Sequence, residues 1–452
     1  MSNKKAAIIG AGITGLVTAF YLKKAGIPFR IFEKTDHIGG VIRTEKEDGF
    51  VYETGPNSGV LANAETVEFF EELGQQCPPE IADRAAARRL IWKGNRWYPL
   101  PSGLWSGITT PLFSLHDKLR LLGEPFRKKG TNPNETLSQM VIRRMGQSFL
   151  DYAIDPFILG IYAGDPAYIV PKYALPKLYR LEQDYGSFIG GALKKKREKK
   201  TPREKKVTRD IFSVEGGLEN LPGVLTTILG KDNFVLECHD LFAEKNGQKF
   251  NIHFNGQQET FTHVVSTINS EGLPALFPFV EAKKWLPITR LKYAKVTEVA
   301  VGYKKWEGIS LNAFGGLIPF REKRNILGIL FMSTLFKNRA PQGGALFTTF
   351  VGGTRRPDLA ELPEAELFKL IKKEMEITLH VKKEPDLFRY ATHRQAIAQY
   401  GADSEERFRA IAAIELQHLG LYLGGSIRDG IGLADRIKQA HFMAEDIILN
   451  EE

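Results

Sequence analysis

Residues 6–33 constrain the fold more than any other stretch, because they set an apolar strand, a glycine-spaced turn, a helix and a second apolar strand in immediate succession. Ala6-Ala7-Ile8-Ile9 reads as a buried strand. Gly10-Ala11-Gly12-Ile13-Thr14-Gly15 comes next as the turn, and Leu16, Ala19, Phe20 and Leu22 recur at helical spacing. Gly10 permits the tight turn, Gly12 lets the backbone approach a pyrophosphate, and Gly15 lets helix and strand pack closely, so the helix N-terminus faces the phosphates. Glu33 closes the second apolar strand, Ile27 to Phe32, where a carboxylate can hold ribose hydroxyls. No basic residue replaces it, which disfavours a 2′-phosphate. A glycine-rich turn alone is a weak signal; in this order, with its acid, it reads as a dinucleotide site.

Two further glycine loops and a C-terminal motif select among dinucleotides. Gly39-Gly40-Val41-Ile42-Arg43-Thr44 adds a glycine pair and an arginine, and Glu53-Thr54-Gly55-Pro56-Asn57-Ser58 adds a tight loop. Toward the other end, Leu419 to Gly425 reads as a strand ending in glycines, and after Ser426-Ile427-Arg428-Asp429-Gly430 a helix is expected to begin near Ile431-Gly432-Leu433. This longer pattern resembles the flavoprotein oxidoreductases of the amine oxidase and protoporphyrinogen oxidase superfamily. The resemblance implies FAD, with Arg43 and the loop from Gly55 to Ser58 lining the diphosphate and flavin. It also aims the C-terminal helix N-terminus at the ring, where backbone N–H groups stabilise negative charge on the reduced flavin.

Composition narrows the class. A chain of 452 residues with 43% hydrophobic content supports two or three connected domains around a real core. Cys77 and Cys238 are the two cysteines, which gives no disulfide framework and suits a reducing compartment. No run of eighteen apolar residues and no signal or transit peptide is read, so a cytoplasmic bacterial protein is expected. The net charge of +9 is concentrated in residues 194–206 (KKKREKKTPREKK), where nine Lys or Arg face Glu198 and Glu204. Without that run the protein is close to neutral, and nucleic-acid binding is not expected. The run itself reads either as a solvated loop or as a contact for an anionic membrane surface.

The middle of the chain narrows the family. The segments DPFILGIYAGDP (155–166), LEQ (181–183), GSFIGG (186–191), FSVEGGL (212–218), GGLIP (315–319), LGIL (327–330), NRAP (338–341) and TTFVGG (348–353) run in one order across nearly the whole chain. Together they resemble the protoporphyrinogen oxidase family, particularly its bacterial and plant-type forms. The resemblance implies that Leu317 and Leu330 sandwich one ring of a macrocycle, that Phe350 stacks on another, and that the Gly160 backbone faces the substrate. It implies FAD contacts at Gly10, Ala11, Gly12, Ile13, Thr14, Gly15, Glu33, Lys34, Gly40, Val41, Arg43, Gly55, Pro56, Asn57, Ser58, Thr267, Ile397, Gly425, Ser426, Ile431, Gly432 and Leu433. A backbone contact near Asp240 is also expected, in a register the sequence does not fix. The implied fold is α/β with α+β character: a discontinuous Rossmann-like FAD-binding domain (1–78, 189–270 and 392–452), a mixed-sheet substrate-binding domain (271–391), and a helical membrane-facing region at the substrate entrance (79–188).

The reaction so implied is FAD-dependent oxidation of protoporphyrinogen IX to protoporphyrin IX in haem biosynthesis, by hydride transfer from a meso carbon to flavin N5 with O2 as acceptor. A porphyrinogen is already prone to oxidation, so positioning is the protein's main task, and no catalytic acid or base and no metal is named. Two departures stand out. Ala398-Gln399-Tyr400 replaces the usual Pro-Gln-Tyr, and Gln75-Gln76-Cys77 follows Leu73-Gly74 where the best-known members carry an arginine for a substrate propionate. Arg84, Arg88 and Arg89 are the candidates to compensate, and coproporphyrinogen III is the alternative substrate. An amine oxidase would place a lysine near the position of Glu298 and an aromatic within 424–432, and neither is present. A carotenoid desaturase matches the central segments poorly. A non-catalytic flavoprotein that carries a tetrapyrrole is the reading of a different class. The expected setting is the inner face of the cell membrane, with peripheral contact and hand-over to the next haem-pathway enzyme; a homodimer stays open.

Overall fold

The computed structural model describes residues 4–101, 106 and 109–450; positions 102–105, 107 and 108 of the expected helical region lie outside them. The strand Ala6–Ile9 is buried along its whole length, as its small and branched apolar side chains require of a central parallel strand. It sits in the middle of a five-stranded sheet ordered Phe234–Val235, Phe29–Phe32, Ala6–Ile9, His263–Ser266, Leu421–Leu423. Every pairing in this sheet is parallel, so each needs a crossover. The helices Ile13–Lys24, Asn220–Leu229 and Leu433–Leu449 cover one face. The other face packs on a three-stranded antiparallel sheet and on the helices Ala282–Thr289 and Ser404–Gln417. The sheet therefore draws strands from both ends and the middle of the chain.

A seven-stranded mixed sheet forms the second layer system, ordered Leu387–Ala398, Tyr293–Tyr303, Ala345–Gly352, Gly328–Leu330, Gly315–Leu317, Arg89–Lys93, Arg96–Pro99. Its register sorts the side chains. Ile91, Leu317, Gly328, Phe350, Glu298 and Ala391 form one cross-strand row, and Arg89, Gly315, Leu330, Thr348, Ala300 and Arg389 the next. Because side chains alternate along a strand, both rows share one face. The opposite face, with Val299, Ile329, Phe347 and Val351, is sealed against Leu367, Ile371 and Met375 of the helix Glu364–Leu379.

Three expected boundaries shift. Residues 79–99 hold no α-helix, only a 3-10 turn at Arg84–Ala87: Pro79–Ile81 is a strand, and Arg89–Pro99 is a hairpin closed by Gly94 and Asn95, both at positive φ, that extends the seven-stranded sheet. The expected break at 391/392 falls inside the strand Leu387–Ala398, whose exposed alternate positions disguise it. The helices between 273 and 289 pack under the five-stranded sheet, because Trp285 and Ile288 are apolar plugs for that core. Beyond the hairpin come the helices Leu115–Leu122, Leu137–Arg144, Asp155–Tyr162, Pro176–Tyr185 and Phe188–Arg197.

Candidate functional site

The N-terminal turn has the shape a pyrophosphate needs. Gly10 has φ +103°, and a Cβ on Gly15 would lie 2.1 Å from the Gly10 carbonyl oxygen, so neither position accepts a side chain. Gly12 differs: among the described residues a Cβ there would meet nothing within 4 Å, and Gly12 caps the helix Ile13–Lys24 with no side-chain acceptor at its N–H groups. Open space over a bare helix N-terminus, including Ile13 and Thr14, is a cradle for an anionic group. Glu33 stands at its edge. Its Oε2 accepts from Ala11 N–H at 2.9 Å and its Oε1 from Thr35 N–H at 3.0 Å, which fixes the carboxylate beside the turn. The segment beside Glu33 is Val235 to Cys238, which leads on to Asp240: Glu33 N–H donates to Val235 carbonyl and Cys238 N–H to Glu33 carbonyl, each at 2.9 Å.

The later loops converge on this cradle. Gly39 N–H donates to Ala11 carbonyl at 2.9 Å, and a Cβ on Gly40 would lie 3.1 Å from Gly12 Cα. The Gly55 Cβ position falls 1.8 Å from Val41 carbonyl, so the loop through Pro56, Asn57 and Ser58 passes directly over Val41. Thr267 Oγ1 donates to Ile9 carbonyl at 3.1 Å, and the Gly425 Cβ position would lie 2.8 Å from Thr267 carbonyl. At the C-terminal motif Gly432 caps the helix Leu433–Leu449, and the Leu433 side chain reaches Gly59. Ile397 packs against the buried cluster that Ile431 also borders and against the one that Phe350 borders, joining the nucleotide half to the seven-stranded sheet.

Arg43 pairs with Glu45 at 3.0 Å, and both Arg43 and Lys34 are exposed, with charge that matches a phosphate-rich ligand.

Leu317, Leu330 and Phe350 share one face of the seven-stranded sheet, and each is partly exposed rather than core. The helix Asp155–Tyr162 leans over that face: a Cβ on Gly160 would lie 2.6 Å from Leu317 Cδ2. Asp155 fastens the helix, accepting from Phe320 N–H at 2.8 Å and from Arg355 at 2.5 Å. Burial raises the Asp155 pKa, and Arg355 opposes the rise. The same face meets the Gly55–Ser58 loop through Asn57, whose Oδ1 accepts from Thr348 Oγ1 at 2.8 Å and whose Nδ2 donates to Glu298 Oε1 at 2.6 Å.

Sequence reasoning missed the groups that hold these loops. Arg436 is buried under the C-terminal motif and donates to the carbonyls of Arg428 and Gly430, both at 2.8 Å, and to that of Gly425. Tyr400 Oη donates toward Ser426 and Gly430 carbonyls, and burial lifts its pKa to about 12. Glu53, buried with Arg339 at 2.9 Å, accepts from Leu218 N–H at 3.1 Å and so ties the Gly55 loop to the approach of the helix Asn220–Leu229. None of them has a local sequence signal: Arg436 stands beside Asp435 and near Lys438, Tyr400 follows Gln399, and Glu53 precedes Thr54.

A family model described as flavin containing amine oxidoreductase matches residues 13–433. A chloroplastic/mitochondrial protoporphyrinogen oxidase 2 of Arabidopsis thaliana is 28% identical, covering 99% of this chain and 94% of that one. A coproporphyrinogen III oxidase of Bacillus subtilis is 23% identical, covering 99% and 98%. A crystal structure from Exiguobacterium sp. 255-15 superposes over the full length of both chains with a TM-score of 0.82 at 22% identity, which fixes the fold.

Proposed function

The chain belongs to the flavin containing amine oxidoreductase family, and we propose that within it the protein oxidises protoporphyrinogen IX to protoporphyrin IX. The observation that carries this reading is the single face that unites Leu317, Leu330 and Phe350 and meets the Gly55–Ser58 loop through Asn57. The Arabidopsis relative bears the matching activity in its name.

FAD, when bound in the cradle, supplies a two-electron hydride acceptor that O2 can restore. The protein's own part is positioning. The bare N-terminus of Ile13–Lys24 would hold the pyrophosphate and the fixed Glu33 carboxylate the ribose beside it. Leu317, Leu330 and Phe350 present a flat apolar wall against which a macrocycle stacks, which limits the angles a meso carbon can adopt toward the ring. The helix over Gly160 closes the wall at Leu317 and keeps water from that edge.

Recognition of the substrate carboxylates falls to Arg89. Of the three candidate arginines, Arg89 lies in the row of Gly315, Leu330 and Thr348, on the substrate face, with its guanidinium 5.9 Å from the Phe314 ring centroid.

The setting at a membrane surface is part of the same proposal. Leu115, Leu119, Leu122 and Phe126 are 73%, 60%, 71% and 90% exposed, a stripe at helical spacing that leaves its apolar side to solvent. Among the described residues no helix is long and apolar enough to cross a membrane. The stripe is tied to the basic run: Glu124 accepts from Ser187 Oγ at 2.6 Å and from Phe188 N–H at 2.8 Å, capping the helix Phe188–Arg197 that ends in Lys194, Lys195, Lys196 and Arg197. Arg203 and Lys206 instead pair with Glu68 and Glu71 at 2.8 and 2.6 Å, so the first half of the run is the half available to lipid headgroups.

The test is porphyrin fluorescence during aerobic turnover by the FAD-loaded protein, for the wild type and for Phe350→Ala. Protoporphyrin formation that slows roughly 10-fold or more on losing the ring supports the reading. A wild type that retains FAD and forms no porphyrin overturns it.

A further inference from the structure

A carboxyl group sits where the substrate face meets the flavin loop, and nothing in the reaction above uses it. Glu298 lies within the strand Tyr293–Tyr303, is 4% exposed, and has Phe350 and Ala391 as its cross-strand neighbours. Its Oε1 accepts from Asn57 Nδ2 at 2.6 Å, its one hydrogen bond among the described residues. Asn57 is fully committed: Nδ2 also donates to Gly55 carbonyl at 3.1 Å, and Oδ1 accepts from Thr348 Oγ1 at 2.8 Å. Turning the amide over would set oxygen against oxygen at Gly55, so the orientation is determined.

The charged and titratable groups around Glu298 are turned to other partners. Glu53, from the strand that leads into the loop, is paired with Arg339 at 2.9 Å. On the strand Leu387–Ala398, His393 Nε2 lies 2.8 Å from Thr54 carbonyl, and Arg389 pairs with Glu47 at the rim. The strand Ala345–Gly352 contributes Thr348 and Phe350, neither of them charged. Among the described residues no cation pairs with Glu298.

We propose that Glu298 is a positioning residue for the flavin: the hydrogen-bonded chain Glu298–Asn57–Thr348 sets the Gly55–Ser58 loop at a fixed place against the substrate face, and Glu298 acts through Asn57. The inference rests on the reading that the flavin lies along that loop. Glu298 does this as a neutral acid, since burial without a cation raises its pKa well above the ordinary carboxyl value. An ionised carboxylate there would set an unpaired negative charge beside a ring that gains electrons during turnover.

The experiment compares FAD-loaded wild type, Glu298→Gln, Glu298→Ala, Asn57→Ala and the double alanine variant. Flavin absorbance, the two-electron potential, kcat and KM are read for each from pH 6 to 8. Glu298→Gln preserves a neutral acceptor and is expected to rescue the flavin band and potential, with kcat within about 5-fold of wild type and an unaltered pH profile. Glu298→Ala shifts band and potential and lowers kcat roughly 10- to 100-fold with little change in KM, and the double variant is no worse than either single. The proposal is overturned by an alanine variant whose spectrum and potential match wild type, by additive losses in the double variant, or by a glutamine variant as impaired as alanine. The spectrum and potential need no substrate, so a protein that fails to oxidise porphyrinogen would sink the proposed function and leave this inference to its own readouts.

Discussion

Gly12→Ala separates cofactor binding from folding in a way no other glycine of the cradle does. The Gly12 backbone, at φ −74° and ψ 173°, suits alanine, and the added methyl would meet no atom of the described residues within 4 Å. An alanine at a helix N-cap costs a few tenths to ~1 kcal/mol, and the reduced freedom of the unfolded chain offsets about 0.4–1 kcal/mol. The protein without cofactor is therefore expected to melt within about 3 °C of wild type. In the holoprotein the same methyl occupies the space the pyrophosphate needs, and overpacking of ~1–3 kcal/mol converts to roughly 5- to 150-fold weaker FAD binding. Gly15→Ala is the contrasting control. Its Cβ would lie 2.1 Å from the Gly10 carbonyl, so strand and helix must separate and stability falls with or without FAD. Flavin fluorescence titration of the apoprotein, with thermal melts of both variants, checks the pair. A Gly12→Ala variant that binds FAD as tightly as wild type would refute the cradle.

Three further outcomes come from the same geometry. Glu298 has a raised folded-state pKa, so its neutral form adds stability that is complete below the unfolded value near 4.5 and is lost as pH rises toward the folded value; melts should show Glu298→Gln gaining on wild type between pH 5 and 8, and a constant difference would contradict a buried acid. Arg89→Ala should raise KM for a carboxylated porphyrinogen about 3- to 10-fold and leave kcat near its original value, with the effect shrinking in high salt; an unchanged KM would take the carboxylate contact away from Arg89. Replacing Leu115, Leu122 and Phe126 together by Ser should abolish co-sedimentation with anionic liposomes at low salt, and deleting residues 194–200 should weaken it; retention by both variants would remove the membrane contact.

The parts of this protein legible in its sequence are those where chemistry and backbone geometry coincide. Gly10, Gly12 and Gly15 announce the turn because each glycine answers a different steric demand, and the buried run Ala6–Ile9 announces a parallel strand. Leu317, Leu330 and Phe350 are legible only through resemblance, since an apolar residue on a strand looks the same whether it lines core or pocket; register supplies the distinction by placing all three on the face away from the helix Glu364–Leu379. The hairpin at Arg89–Pro99 reads as part of a helical region because its apolar residues alternate over few positions, although Gly94-Asn95 marks the turn. Arg436, Tyr400 and Glu298 do not stand out as site residues in the sequence at all. Arg436 and Tyr400 act on carbonyls of the turn at 425–430, whose path the sequence does not show, and Glu298 and Asn57 are separated by 241 positions, a contact with no local signature.

The most direct measurement of the central claim is flavin absorbance on rapid anaerobic mixing of the FAD-loaded protein with protoporphyrinogen IX, and separately with coproporphyrinogen III, before oxygen is admitted. Protoporphyrinogen IX is expected to bleach the flavin, with recovery of the flavin band together with porphyrin fluorescence once oxygen enters. Bleaching by coproporphyrinogen III alone would contradict the assigned substrate. A flavin that binds the ring tightly and stays oxidised with both would contradict the oxidase and leave a tetrapyrrole carrier.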